Sequence, residues 1–222
     1  KNKMKDLLII GSGGVGRDVL NIIDRSYKNN FSKIYFLDDN FSLGKLINGI
    51  EVVGKTKDLN KFSRQKTEVI IAIGNPILRR KFHKIVVRKK YNLFSLIDKS
   101  VIIKNPVKIG KGVIIFPNSI VSQDTAIGDN TLIDTNVIVG HDVIIKDNCV
   151  ISPMACVLGK VIIESQVEVG CGAQIYLNVK VGRLSKIAMG SSVYKDVPKL
   201  FTVAGNPARK IRDNSNEIKE GN

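Results

Sequence analysis

From residue 101 to residue 196 the apolar positions recur every six residues. Written in sixes, the stretch runs VIIKNP, VKIGKG, VIIFPN, SIVSQD, TAIGDN, TLIDTN, VIVGHD, VIIKDN, CVISPM, ACVLGK, VIIESQ, VEVGCG, AQIYLN, VKVGRL, SKIAMG, SSVYKD. The third residue of all sixteen hexads is Ile or Val, and the first is always small or β-branched. A period of six fits neither the 3.6 of a helix nor an irregularly interrupted alternating strand. It predicts a parallel β-helix, with three hexads to each three-sided coil. Positions one and three should point into the coil and position two outwards. From Ile114 to Ile162, position two is nonetheless apolar nine times running, before Glu168, Gln174, Lys180 and Lys186 take over. An outward apolar tract of that length predicts a partner surface, and a three-sided coil suggests cyclic self-association.

Before the array the pattern is different. An apolar strand, KDLLII, runs straight into GSGGVGRDVLNIIDRS. Gly11, Gly13 and Gly16 fit GxGxxG, and Val19, Leu20, Ile22 and Ile23 form one face of a helix. Strand, glycine turn and helix in that order make a phosphate cradle from bare N–H groups at a helix start. A second strand, Lys33–Leu37, ends in Asp38 and Asp39, where an acid can accept hydrogen bonds from a ribose or base. A third, Val69–Ile73, ends in Gly74–Asn75–Pro76, and a helix is expected over Leu78–Lys89. These strand ends predict one crevice for a nucleotide, lined by Gly13, Gly14, Val15, Asp38, Asp39, Gly74 and Asn75. About ninety residues supply only half of a full dinucleotide domain, so a mononucleotide-linked ligand suits the size better than NAD. The expected division is a Rossmann-like α/β half-domain over 1–97, a β-helix over 98–196, and a cap with a polar, mobile tail over 197–222.

Composition narrows the class. At 43% hydrophobic and a mean hydropathy of +0.03, the chain is that of a globular protein with no apolar run near the length of a membrane span. No signal peptide is evident, and Met as the fourth residue points to a trimmed start. Cys149, Cys156 and Cys171 show no paired spacing, so free thiols and a cytoplasmic setting are expected. The net charge of +15 fits a phosphate-bearing ligand or a lysine-rich surface. No RNA- or DNA-binding motif accompanies it, which sets nucleic acid aside.

The chain holds two histidines, His83 and His141. His141 occupies position five of VIVGHD, at a corner, where its ring should project outwards. Gly159, eighteen residues on, stacks one strand spacing (about 4.8 Å) above it. An imidazole base beside a bare N–H donor is what acyl transfer requires, the one for the nucleophile's proton and the other for the oxyanion. A surface corner histidine satisfies the spacing equally well. Asp142 could orient the ring, yet position six is a column of Asn and Asp suited to left-handed corners, so turn geometry alone also explains it. A three-histidine metal site lacks its ligands, and no metal is expected.

At these residues the chain resembles the bacterial sugar O/N-acetyltransferases of sialic-acid and bacillosamine-type pathways. GSGGVGR, FLDD, IAIGNPILRR, VIVGHD and VAGNPARKI carry the likeness along nearly the whole chain. The resemblance implies a left-handed β-helix, a homotrimer, acetyl-CoA held between neighbouring coils, and a nucleotide-sugar held by the N-terminal domain. It implies His141 as general base, Asp142 as its assistant, Gly159 as oxyanion donor, and Val150, Cys171 and Gly190 along the CoA groove. Two residues depart from the family pattern: Val15 and Val150 stand where histidine is frequent. Val150 cannot donate a hydrogen bond to a thioester carbonyl. The implied reaction is transfer of acetyl to the amino group of a UDP-4-amino-4,6-dideoxyhexose. O-acetylation of a sugar or sialic acid, a non-catalytic trimeric nucleotide-binding module, and NAD-dependent oxidoreduction are the alternatives.

Overall fold

The computed structural model describes residues 4–215; the end of the polar tail, 216–222, lies outside the described residues. The chain divides into two compact units. The first runs up to Gly74 and adds Leu78–Leu96, and the second takes Asn75–Ile77 and everything from Ile97 onward.

The first unit is built on β1 (Lys5–Ile10), α1 (Gly14–Ser26), β2 (Phe31–Leu37), a small hairpin of β3 (Leu46–Ile47) and β4 (Ile50–Glu51), β5 (Thr67–Ile71), α2 (Pro76–Arg88) from Leu78 onward, and β6 (Asn92–Leu93). The sheet order is β2-β1-β5-β6 with every pairing parallel. β1 lies inside it, and Leu7, Leu8, Ile9 and Ile10 are buried on both faces, as a continuous apolar run requires. β5 stops at Ile71, two residues earlier than the pattern predicts, although the Ala72 N–H still donates to the Ile10 carbonyl at 2.8 Å. α2 begins at Pro76, two residues earlier than predicted. The Asn75 side chain accepts the Ile77 N–H at 3.0 Å, a cap followed by proline at the first helical position.

The second unit is a parallel β-helix whose strands pair eighteen residues apart, as Ile133 with Ile151 and Val139 with Val157. Its three faces are named here by the strands Leu132–Ile133, Ile138–Val139 and Ile144–Ile145. The third residues of the hexads from Ile115 to Val193 are buried in one continuous core. From Gly112 to Gly190 the sixth residue of each hexad adopts the left-handed conformation, with φ between 53° and 60° from Asn118 to Asn148. Further along, Met154, Lys160, Gln166 and Leu184 hold the same φ without a residue that favours it. A hairpin of Phe201–Gly205 and Ala208–Asp213 continues the Leu132 face through Lys186 opposite Thr202.

The outward apolar tract is not one surface. On the Leu132 face, Ile114, Leu132 and Val150 are buried in the single chain, at 0%, 1% and 5% exposure. Ile138 and Ile144, on the other two faces, remain 47% and 42% exposed. Position two sets direction relative to the coil and says nothing of what lies over each face. Among the described residues no helix is long and apolar enough to cross a membrane.

Candidate active site

The glycine turn follows β1 because Gly11 must take φ +98°, and a Cβ there would sit 2.8 Å from the Ala72 carbonyl oxygen. Gly16 is equally constrained: its Cβ would lie 2.1 Å from the Gly11 carbonyl oxygen. Chain packing thus explains two of the glycines. It does not explain Gly13 and Gly14, where a Cβ would meet nothing within 4 Å. These two begin α1, with no side-chain cap on its N-terminus and no acid in its first turn. Free N–H groups, open space and a helix dipole coincide there, an arrangement suited to a phosphate. Val15 reaches towards Gly74, whose Cβ would stand 3.6 Å from the valine methyl.

The two acids after β2 differ. Asp38 is buried, and its Oδ2 accepts both the Ser12 N–H (2.7 Å) and the Ser12 hydroxyl (2.8 Å). Its Oδ1 accepts the Asn40 N–H at 2.9 Å. Three of roughly four acceptor sites are occupied, so Asp38 clamps the glycine turn to the end of β2. Asp39 is exposed, with Oδ1 accepting the Thr56 N–H at 2.7 Å. Sequence reasoning placed both acids in the crevice but missed the Ser12 clamp, which spans 26 residues. Asn75 likewise has a structural task, the cap on α2.

His141 and Gly159 meet in the β-helix. A Cβ on Gly159 would lie 2.7 Å from His141 Nε2 and 2.8 Å from its Cε1, so the imidazole lies directly against the glycine. On the ring's other side Nδ1 is 2.6 Å from Asp142 Oδ2. Asp142 does this from the left-handed corner position, at φ 58°. Corner geometry and ring orientation are therefore both met by the same residue.

Among the described residues most position-five N–H groups of the corners, those of Asp147, Ser165 and Cys171 included, have no acceptor, and Gly159 differs from them in being buried. At the Asp147 corner two position-five N–H groups are capped from the coil above: Lys111 donates to Asp129 Oδ1 at 2.7 Å and Asp129 to Asp147 Oδ1 at 2.9 Å. At the His141 corner neither the His141 nor the Gly159 N–H has an acceptor among the described residues. Gly159 is buried. Buried N–H groups without partners are rare, because each carries a desolvation cost. Here the donor sits beside an imidazole.

None of the three residues attributed to a CoA groove lies at this corner of the same coil. Cys171 and Gly190 lie on the ridge at the opposite edge of the Ile138 face, and Val150 is buried under the Leu132 face. Cys149 packs in the coil, where burial pushes its thiol up to about 12. Burial also raises the half-buried Cys156 thiol. Among the described residues no group of three or more His, Cys, Asp or Glu side chains could hold a metal ion.

Comparison with known proteins agrees with both halves. Residues 6–86 match the PglD N-terminal domain, and residues 124–159 match the bacterial transferase hexapeptide family. The acetyltransferase domain of PglB from Neisseria gonorrhoeae FA1090 is 28% identical, with TM-score 0.87 over 93% of this chain and 100% of that one. That domain has also been solved in complex with acetyl coenzyme A. WeeI from Acinetobacter baumannii AYE is 26% identical, with TM-score 0.87 over 93% and 100% of the two chains. Perosamine N-acetyltransferase from Caulobacter crescentus, solved with CoA and GDP-perosamine, shares the fold at 24% identity and TM-score 0.88, over 95% and 99%. A serine acetyltransferase from Buchnera aphidicola subsp. Schizaphis graminum (strain Sg) is 42% identical over 53 residues, 24% of this chain and 20% of that enzyme. The solved folds match the chain almost end to end. The chain thus joins a PglD-type N-terminal domain to bacterial transferase hexapeptide repeats, and it is similar over nearly its whole length to acetyltransferases of that build.

Proposed function

We propose that this protein transfers acetyl from acetyl-CoA to the amino group of a nucleotide-linked sugar, a UDP-4-amino-4,6-dideoxyhexose or a close analogue. The observation that carries the reading is the imidazole of His141 lying against Gly159, whose N–H has no acceptor of its own. The Asp142 carboxylate on Nδ1 favours the tautomer that leaves Nε2 free to accept a proton. The sugar amine attacks the thioester carbonyl and its proton passes to Nε2. The carbonyl oxygen, negative in the tetrahedral intermediate, takes a hydrogen bond from Gly159. When the intermediate collapses the C–S bond breaks, and CoA leaves as the thiol with the proton from the imidazolium. No acyl-enzyme is required.

The nucleotide half of the substrate belongs to Gly13, Gly14 and Val15, with Asp39 and Gly74 bordering the site. The free space over Gly13 and Gly14 supports this, since the fold itself has no need of glycine there. Asp38 serves the same site indirectly, by holding Ser12. GDP-perosamine in the Caulobacter enzyme, a nucleoside diphosphate joined to an amino sugar, supports the substrate class.

The working form is a homotrimer. Exposed Ile138 and Ile144 flank the His141 corner on its two adjoining faces. A ridge with an apolar face on each side suits a cleft between neighbouring coils, and a second copy would bring its own Cys171 and Gly190 ridge to close the CoA groove.

Thiol release with acetyl-CoA and a panel of nucleotide-linked amino sugars, read by product mass, tests the proposal. His141→Ala should lose roughly 10²- to 10⁴-fold in kcat. Near-normal turnover by that variant would remove the general base from the mechanism. A mass shift on oxygen rather than nitrogen would change the acceptor class.

A further inference from the structure

The positive charge of the chain is not spread evenly. Residues 55–66 and 78–90 hold twelve Lys and Arg against one acid, Asp58, which is a net +11 of the chain's +15. Packing within the first unit brings these two stretches together. Leu59 and Phe62 join Phe82, Val86 and Tyr91 in one core. The Tyr91 hydroxyl donates to the Leu59 and Phe62 carbonyls at 2.7 and 2.6 Å, and Lys89 donates to the Asn60 side chain. One of the twelve, Arg79, is an internal cation, buried and donating to the carbonyls of Ile71 and Ile73 at 2.8 and 2.9 Å. Most of the others are exposed, among them Lys61, Arg64 and Lys66 from the first stretch and Lys81, Lys84, Arg88 and Lys90 from the second. Asp58 is paired with Lys61 at 3.0 Å, and Glu68, the next acid along, with Lys5 at 2.9 Å.

Ordinary structural needs explain part of this cluster. Arg88, Lys89 and Lys90 suit the negative end of a helix dipole. Lys81 and Lys84 stand at least a turn before that end. With Arg88 they run at spacings of three and four along the outward side of α2, opposite Arg79, Phe82 and Val86. Like charges at those spacings destabilise a helix, and none of the three has an ion pair among the described residues. Val87, 54% exposed, is set among them. Phosphates of a nucleotide do not account for the cluster either. The glycine turn opens at the C-terminal ends of the parallel strands, where α2 begins, and thirteen residues carry α2 about 20 Å back towards the opposite edge of the sheet.

We propose that this cationic face docks the protein onto an anionic lipid bilayer. A headgroup layer offers a broad plane of negative charge, and each Lys or Arg brought to it strengthens binding about fivefold. A convex helix side with one apolar residue among its cations suits that plane. A nucleic acid is the weaker fit. The neighbouring rings of Phe62, Phe82 and Tyr91 pack into the core and leave bases nothing to stack on. Among the described residues no helix is long and apolar enough to cross the bilayer, and attachment through this face is electrostatic and salt-sensitive. The face shares no residue with His141, Gly159 or the glycine turn, so docking leaves acetyl transfer itself unaltered.

Co-sedimentation of the full chain with lipid vesicles tests the docking. At about 0.1 M salt the wild type should pellet with phosphatidylcholine vesicles holding about 30% phosphatidylglycerol, and about 0.5 M salt should release it. With pure phosphatidylcholine it should stay in solution. K84A/R88A should weaken binding about 30-fold, while K108A/K111A, which removes the same charge from the β-helix, should stay within about threefold of wild type. K84Q/R88Q preserves helix-forming side chains and should behave as K84A/R88A does, which separates lost charge from lost fold. Acetyl transfer without vesicles should be the same in all of these proteins. A wild type that ignores the anionic vesicles overturns the docking. Equal losses in K84A/R88A and K108A/K111A also overturn it, since net charge rather than this face would then hold the vesicle. A fall in vesicle-free acetyl transfer in K84Q/R88Q would assign the cations to the substrate instead, and the docking would again be wrong. Tighter binding of an RNA or duplex DNA oligonucleotide than of vesicles, with the same dependence on Lys84 and Arg88, would make this a nucleic-acid surface and refute the lipid assignment.

Discussion

Replacing Gly159 by alanine separates the active corner from the scaffold that carries it. The added methyl would stand 2.7 Å from Nε2, 2.8 Å from Cε1 and 3.3 Å from Cδ2 of His141, and these are its three nearest neighbours. Carbon contacts are comfortable at about 3.5–4.0 Å, so the ring must withdraw by roughly 1 Å. The ring is free to do so because the His141 side chain is 60% exposed. A misplacement of that size costs about 10²-fold in rate, or about 2.7 kcal/mol in the barrier. Stability should move by less than about 1 kcal/mol, since nothing but an exposed ring is displaced. Gly140→Ala is the control: its methyl would meet main-chain atoms only, with Gly159 N at 2.8 Å and Val157 O at 3.0 Å. Coils cannot separate as a ring can swing, and a loss of about 1–3 kcal/mol is expected there. Thermal unfolding and kcat measured on both variants decide the matter. A Gly159→Ala enzyme with normal kcat would refute the placement of the imidazole against residue 159.

The same separation applies to three other sites. Gly16→Ala should unfold or severely destabilise the first unit, because its methyl would lie on the Gly11 carbonyl oxygen, whereas Gly13→Ala and Gly14→Ala should keep the melting temperature and weaken nucleotide-sugar binding, read by calorimetry. Asp142→Asn keeps a residue that tolerates the left-handed corner and removes the charge; a kcat loss with unchanged Tm is expected, while Asp142→Ala should lower both. Cys149 makes stability pH-dependent in the alkaline range. The unfolded thiol ionises near 9.0 and the folded one near 12, so the unfolded state releases the proton first and stability falls as pH rises through that window. The wild type should lose about 1.4 kcal/mol per pH unit relative to Cys149→Ala above pH 9, measured by denaturant unfolding; parallel curves for the two proteins would refute the burial cost.

Much of this was readable from residue order because the array is periodic. An eighteen-residue coil places Gly159 over His141 by counting alone, and the sixth-residue column foretold the left-handed corners from Asn118 to Asn148. Met154, Lys160, Gln166 and Leu184 show the limit of composition: the coil imposes φ on residues that would not choose it. The first unit was less legible. Its hairpin at Leu46–Glu51 has two-residue strands, too short to show alternation. The Ser12–Asp38 clamp joins residues from different strand ends, and the burial of Ile114, Leu132 and Val150 depends on tertiary packing. Local pattern carries neither kind of information.

The array also shows how a repeat becomes a site by omission. At the Asp147 corner two aspartates form a short ladder and cap the N–H of the coil below, Asp129 that of Lys111 and Asp147 that of Asp129. Continuing that ladder at the His141 corner would need a carboxylate at position 159. Glycine there leaves a donor unpaired and leaves room for the imidazole, two consequences of one missing side chain. A buried N–H without a partner costs about 1–3 kcal/mol, and the continuous core that runs from Ile115 to Val193 offsets that cost. The regularity that makes the fold predictable is thus also what makes one missing side chain tell, and the corner where a buried glycine meets an imidazole is where the chemistry belongs.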